Sequence, residues 1–179
     1  MKRFFAILFS VTVLATTACT QKQVRATSQN DLLFPDGTYN QDIDVSVLVP
    51  QAKRDFDFSG VVKKTPEEIY FVGYNSFGLS LFKIRDHQGQ PLELETSIEQ
   101  INRHREFFNK FYGFLKSVTT VRKSDPRLHD GKMTLQEQGM TANVIFSNPD
   151  PSGVPMKIEI ESPGMYHLVI VNTSYRLKE

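Results

Sequence analysis

The chain has 179 residues, 40% hydrophobic and 23% charged, with 21 Lys and Arg against 20 Asp and Glu. That length suits one domain, and so balanced a charge gives no electrostatic case for nucleic acid as a partner. There is a single Cys, which excludes an intramolecular disulfide, so an exported domain must be held by its core alone.

The first element is a signal segment at 1–18. Lys2 and Arg3 form a short positive region, and Phe4 opens an apolar run that includes Phe5, Ile7, Leu8, Phe9, Val11, Val13 and Leu14. The run is shorter than the roughly 20 residues that span a bilayer and has the length of a signal core. Thr16, Thr17 and Ala18 are small and precede Cys19. The segment resembles a lipobox, with Thr16 where Leu is commonest, and it makes Cys19 the expected lipidation site. The plainer alternative is an ordinary secretory signal with a coincidental Cys, but the only Cys lies where processing needs it. Without Lys2 and Arg3 the mature chain keeps 19 basic against 20 acidic residues. Thr20 follows Cys19 in place of the Asp that resembles an inner-membrane retention signal. The expected location is therefore the outer membrane, lipid-anchored, with the domain facing the periplasm.

Residues 19–30 are polar and read as a flexible tether, leaving 31–179 as one domain. Period two dominates it. Ile43, Val45, Val47 and Val49 alternate with Asp42, Asp44, Ser46 and Leu48, and Phe56 and Phe58 with Asp55 and Asp57. Further β-favouring runs are expected at 69–74, 79–84 and 92–94. Thr65-Pro66-Glu67, Asn75-Ser76-Phe77-Gly78 and Asp86-His87-Gln88-Gly89 separate them with turn chemistry. Capping-box spacing then appears as Thr96 with Glu99 and Ser97 with Gln100. From there Ile98, Ile101, Phe108, Phe111, Tyr112, Leu115 and Val118 recur at helical steps, with Phe107 and Phe114 widening the face. Gly113 marks a kink or a break in that helix. Strands at 133–136, 142–146, 156–160 and 166–171 complete the outline. Short gaps permit hairpins but not parallel crossovers, so the sheet is expected to be antiparallel. The fold class is α+β, with five strands, a Phe-rich helical segment and four strands. A sheet of that size must wrap the helix or lay it across an open end. The concave space between them is either a packed core, which the pattern itself favours, or a cavity.

Signatures of catalysis are missing from the sequence. His87, His104, His129 and His167 are scattered, and His129-Asp130 is the nearest thing to a titrating pair. Asp42 with Asp44, and Asp55 with Asp57, mark solvent-facing strand positions rather than a glycosidase or calcium site. The sequence gives no reason to expect an enzyme, a metal or a cofactor.

Three stretches carry a resemblance. Phe58-Ser59-Gly60-Val61-Val62 is an early strand with a Gly, and Tyr74-Asn75-Ser76-Phe77-Gly78 is a hairpin tip with one bulky apolar residue before Gly. Pro155-Met156-Lys157-Ile158-Glu159-Ile160, Tyr166-His167-Leu168-Val169-Ile170 and Ser174-Tyr175-Arg176-Leu177 form a closing hairpin. With the lipidated tether, this layout resembles the LolA/LolB type of lipoprotein carrier, nearest to LolB-like outer-membrane lipoproteins and their relatives of unassigned function. The resemblance implies an incomplete, open antiparallel β-barrel of about nine or more strands, closed by helices around an apolar cavity for acyl chains. The side chains that would line it here are Phe56, Phe58, Phe71, Leu81, Phe108, Phe111, Tyr112, Leu115 and Phe146. Phe77 stands where the family's tip helps pass cargo into the membrane. A Phe between Ser and Gly in a tight turn is hard to bury, although it could also fold back under the sheet. The chain has no Trp, where LolB-type cavities often use it, and Tyr175 stands at one such position.

The leading expectation is a monomeric, non-enzymatic lipoprotein held to outer-membrane lipid through acylated Cys19. It would bind acyl chains and receive or insert lipoproteins or lipids, its partners being a periplasmic lipoprotein carrier or lipid cargo. The alternative is an accessory lipoprotein with a packed core that docks onto an envelope complex. A hydrolase would require His129, Asp130 or His167 to converge with a Ser.

Overall fold

A computed structural model describes residues 31–178 apart from positions 50, 51, 104 and 138. The signal segment 1–18, the lipidation site Cys19 and the tether 19–30 lie outside the described residues. Five strands come first: β1 (Gly37–Val49), β2 (Ala52–Lys64), β3 (Glu68–Tyr74), β4 (Ser80–His87) and β5 (Glu93–Thr96). Two helices, α1 (Glu99–Arg103) and α2 (Arg105–Thr119), follow. Then come β6 (Lys132–Glu137), β7 (Met140–Pro149), β8 (Pro155–Ser162) and β9 (Tyr166–Leu177). Among the described residues these nine strands make one sheet in the order β5-β4-β3-β2-β1-β9-β8-β7-β6. The first and last strands pair with each other, which leaves the mid-chain strands β5 and β6 as unjoined edges. The arrangement is the open antiparallel sheet that the resemblance implied.

Strand alternation explains why one face is apolar. Tyr39, Ile43, Val45 and Val47 of β1 stand beside Val62, Phe58, Phe56 and Arg54 of β2 and beside Tyr175, Ile170, Leu168 and Tyr166 of β9. The same row continues through Ile158 and Ile160 of β8 to Val144 and Phe146 of β7. Asp42, Asp44, Asp55 and Asp57 occupy the opposite face and are exposed, as expected. β1 begins at Gly37 rather than near Asp42. The inward position at its fifth residue is polar, which hides the alternation. There the Gln41 amide donates to Asn172 Oδ1 at 2.9 Å, and Asn172 donates to the Pro155 carbonyl at 2.7 Å.

Helical residues flank position 104 as α1 and α2, and α2 continues through Gly113 without a break. The Thr96 hydroxyl accepts the Ile98 N–H at 3.0 Å, a side-chain turn between β5 and α1 that lies ahead of the helix's first turn and is not the capping box that the spacing predicted. Both edge strands and β4 hold α2. Arg105 donates to the Leu94 carbonyl of β5 at 3.2 Å. Ser117 donates to Glu137 of β6 at 2.9 Å. Asp86 of β4 takes the Tyr112 hydroxyl at 3.0 Å and pairs with Lys116 at 2.7 Å. Phe114, on the face between these contacts, is 0% exposed. A sheet whose two edges both reach one helix must curve around it.

One end of this half-barrel is closed by residues 31–36. Leu33 donates its N–H to the Val121 carbonyl at 3.0 Å, and Lys123 donates to the Asp31 carbonyl at 2.6 Å. Leu33 and Phe34 are buried, with the Phe34 ring 6.0 Å from that of Phe146 and 6.1 Å from that of Tyr39. The buried Lys64 ammonium donates to the Phe34 carbonyl at 2.5 Å and to the Thr119 carbonyl at 3.0 Å. It thereby ties this plug to the negative end of α2.

Candidate functional site

In a meander, alternate hairpins share an end. The end of β1, the turns at 75–79 and 163–165 and the start of α1 lie at one end, and the turns at 65–67, 88–92 and 150–154 lie with the plug at the other. Burial changes along this axis. On the inner face of β2, Phe56 is 52% exposed, Phe58 is half-buried, and Val62 and Lys64 are buried. On β1, Val47 and Val45 are half-buried while Ile43 and Tyr39 are buried. The apolar interior therefore opens at the unplugged end.

The rim of that end is also apolar. Six large hydrophobic residues are exposed among the described residues, and five of them, Leu48, Phe56, Phe77, Leu79 and Met165, lie at this end. Phe77 is 86% exposed, so it does not fold back under the sheet. Its turn explains why. The Asn75 side-chain oxygen accepts the N–H groups of Phe77 at 3.0 Å and Leu79 at 2.9 Å, and Gly78 takes a φ of +77°. This Asx turn fixes the tip and leaves both apolar side chains facing out.

The candidate lining residues divide between the two ends. Phe56, Phe58, Phe108 and Phe111 lie toward the opening and remain wholly or partly accessible. Phe71, Tyr112 and Phe146 are sealed, and Leu81 and Leu115 are half-buried against the core. Phe82, which the sequence did not single out, is the hub. Its ring lies 5.5 Å from Phe58, 5.2 Å from Phe71 and 5.8 Å from Phe108, always edge to face. Its place is set by Gly73, directly opposite on β3. A Cβ there would come within 2.6 Å of the Phe82 ring. Gly60 pairs with Gly73 and is covered in the same way by Phe71. Two facing glycines before aromatic-rich strands were the available signal.

Between the sheet and the middle of α2 the space is filled, with Phe114, Val144 and Ile160 wholly buried. A cleft of about 240 Å³ lies at the rim end, mainly on the outer face of the sheet between Ser46, Leu48, Lys53, Glu161 and His167, with Gly164 and Tyr166 at its edge. A second, of about 130 Å³, lies on the outer face between Tyr70, Arg85 and Glu93. His129 sits at the start of β6, near the plugged end, while His167 is exposed on the outer face at the rim end of β9. The two are not brought together, and position 104 is outside the described residues.

Burial raises the phenol pKa of Tyr39, Tyr112 and Tyr166, with the neighbouring Asp86 adding to the effect at Tyr112. Lys64 is shifted the other way, its ammonium disfavoured by burial and partly supported by Asp36.

No protein-family model and no curated protein matches the sequence. Among solved structures, the chain is similar to the LolA superfamily protein NE2245 from Nitrosomonas europaea. The TM-score is 0.43 at 8% identity, over 84% of this chain and 90% of that one.

Proposed function

We propose that the protein is a lipid-handling lipoprotein of the outer membrane, anchored through Cys19, that takes acyl chains in at the open end of its half-barrel. The observation that carries this reading is the gathering of five exposed apolar side chains at the one end where the apolar interior is also accessible. Exposed apolar surface of this kind marks a lipid or partner contact. An acyl chain would lie against Phe56, Phe58 and Val45 and reach further by displacing Phe108 and Phe111 of α2. Its transfer would be driven by apolar burial, worth about 25 cal/mol per Å², with no chemical step. Phe77 and Leu79 would meet the lipid surface during delivery.

Native mass spectrometry of the chain carrying Cys19→Ala, purified from a bacterial periplasm, tests this. Co-purified fatty acid or phospholipid is expected. Phe111→Asp should remove it while the circular dichroism spectrum stays unchanged. The filled space under α2 favours a second reading, a packed accessory lipoprotein that docks onto an envelope complex. A bare mass that no lipid incubation changes would select it.

A further inference from the structure

Tyr166 combines two properties that do not ordinarily coexist. It is 3% exposed, and its hydroxyl has no hydrogen-bond partner among the described residues. A buried, unpartnered hydroxyl destabilises the fold, and Phe in its place would fill the same apolar position without that cost. Tyr166 is the first residue of β9, on the inner face opposite Val47 of β1 and Ser162 of β8. Its ring meets that of Phe111 of α2, itself partly accessible, edge to face at 5.3 Å. It therefore stands where the accessible part of the interior passes under the helix. Burial pushes its phenol up to about 12, so it remains a donor at any physiological pH.

We propose that the Tyr166 hydroxyl is a ligand-binding group that donates a hydrogen bond to the carbonyl oxygen at the polar end of an acyl chain. This rests on the acyl-chain reading above and adds to it the ligand's chemical class and direction. The ligand is a long-chain acid or ester rather than a plain hydrocarbon or ether. Its carbonyl is held at the rim row of the sheet, and its polar head faces the open end. Val47 on one side and Phe111 on the other offer only apolar surface.

The test compares 1-monopalmitoylglycerol with 1-O-hexadecylglycerol, two ligands that share chain and head and differ in the carbonyl oxygen. Each displaces cis-parinaric acid from the full chain carrying Cys19→Ala, with and without Tyr166→Phe. The ester should bind about five- to tenfold more tightly than the ether, the size of one net hydrogen bond. Tyr166→Phe should abolish that preference while leaving ether binding unchanged. The ligand-free Tyr166→Phe protein should melt about 2–4 °C higher, because it loses an unpartnered hydroxyl. Palmitate run alongside identifies the source, the ligand with the larger loss being the acceptor that Tyr166 serves. If the preference survives in Tyr166→Phe, or if ester and ether bind the starting protein equally, the proposed contact is wrong and acyl binding stands. If neither ligand binds, the acyl-chain reading itself fails, and the contact with it.

Discussion

Three of the protein's phenols, those of Tyr39, Tyr112 and Tyr166, are held protonated by burial, while the Lys64 ammonium is disfavoured. The two kinds of group act on stability in opposite directions. A phenol whose folded pKa is raised contributes fully below its unfolded value near 10, and that contribution is lost as pH climbs above it. Lys64 has a lowered folded pKa, so the unfolded chain binds the extra proton and stability rises with pH until the unfolded value is reached. With three groups against one, stability should fall steeply above about pH 10. Urea melts at pH 8, 10 and 11 would show it, and the three phenols should ionise at 295 nm only together with loss of the circular dichroism signal. A smooth phenol titration with the fold intact would show that burial does not hold these groups.

Among the elements, β3 and β4 join through a glycine and a ring. Gly73 leaves room for Phe82, which reaches Phe58, Phe71 and Phe108 and so connects β2, β3 and β4 to α2. Gly73→Ala places a methyl group 2.6 Å from that ring and should cost about 1–3 kcal/mol by overpacking. It should also loosen α2 first, seen as faster amide exchange at Leu115 and Val118. An unchanged urea midpoint would mean that the ring can step aside. These elements also show how far the sequence could be read. The alternation of Ile43, Val45, Val47 and Val49 and the turn residues Asn75 and Gly78 exposed the strand order, because period two and turn chemistry are local properties. The start of β1 was hidden because Gln41 is an inward residue satisfied by Asn172, more than a hundred positions later. The plug was hidden because Leu33 and Phe34 are too few to make a period. Lys64 carried no signal in the sequence because its acceptors, the Phe34 and Thr119 carbonyls, belong to other elements. Phe77 could be placed only once the Asn75 bonds were known. The candidate lining residues were legible as apolar, but which of them lie toward the opening depends on where the plug sits.

At the scale of the molecule the half-barrel has two unlike ends, one stoppered by residues 31–36 and one ringed with apolar side chains. Replacing Phe77 and Leu79 together by Ser should leave the melting temperature within about 2 °C, since exposed side chains contribute little to folding. It should cut co-sedimentation of the Cys19→Ala chain with phosphatidylethanolamine–phosphatidylglycerol vesicles about tenfold or more. Undiminished sedimentation would move the lipid contact elsewhere. The unlike ends also set a geometric condition on the proposed anchor. Asp31 emerges at the stoppered end, and Cys19 is twelve residues before it. Drawn straight, that leash reaches about 43 Å, but a random coil of the same length averages about 20 Å. β1 alone, with thirteen residues, runs about 43 Å along its strand, or roughly 33 Å along the axis at an ordinary barrel tilt. With the anchor proposed at Cys19, a tether of coil length would keep the stopper toward the bilayer and turn the greasy mouth outward to the aqueous gap, where a carrier would meet it. Only a leash pulled nearly taut along the barrel's flank lets the mouth touch the membrane that holds it, so collecting cargo and unloading it would be two orientations of one tethered body.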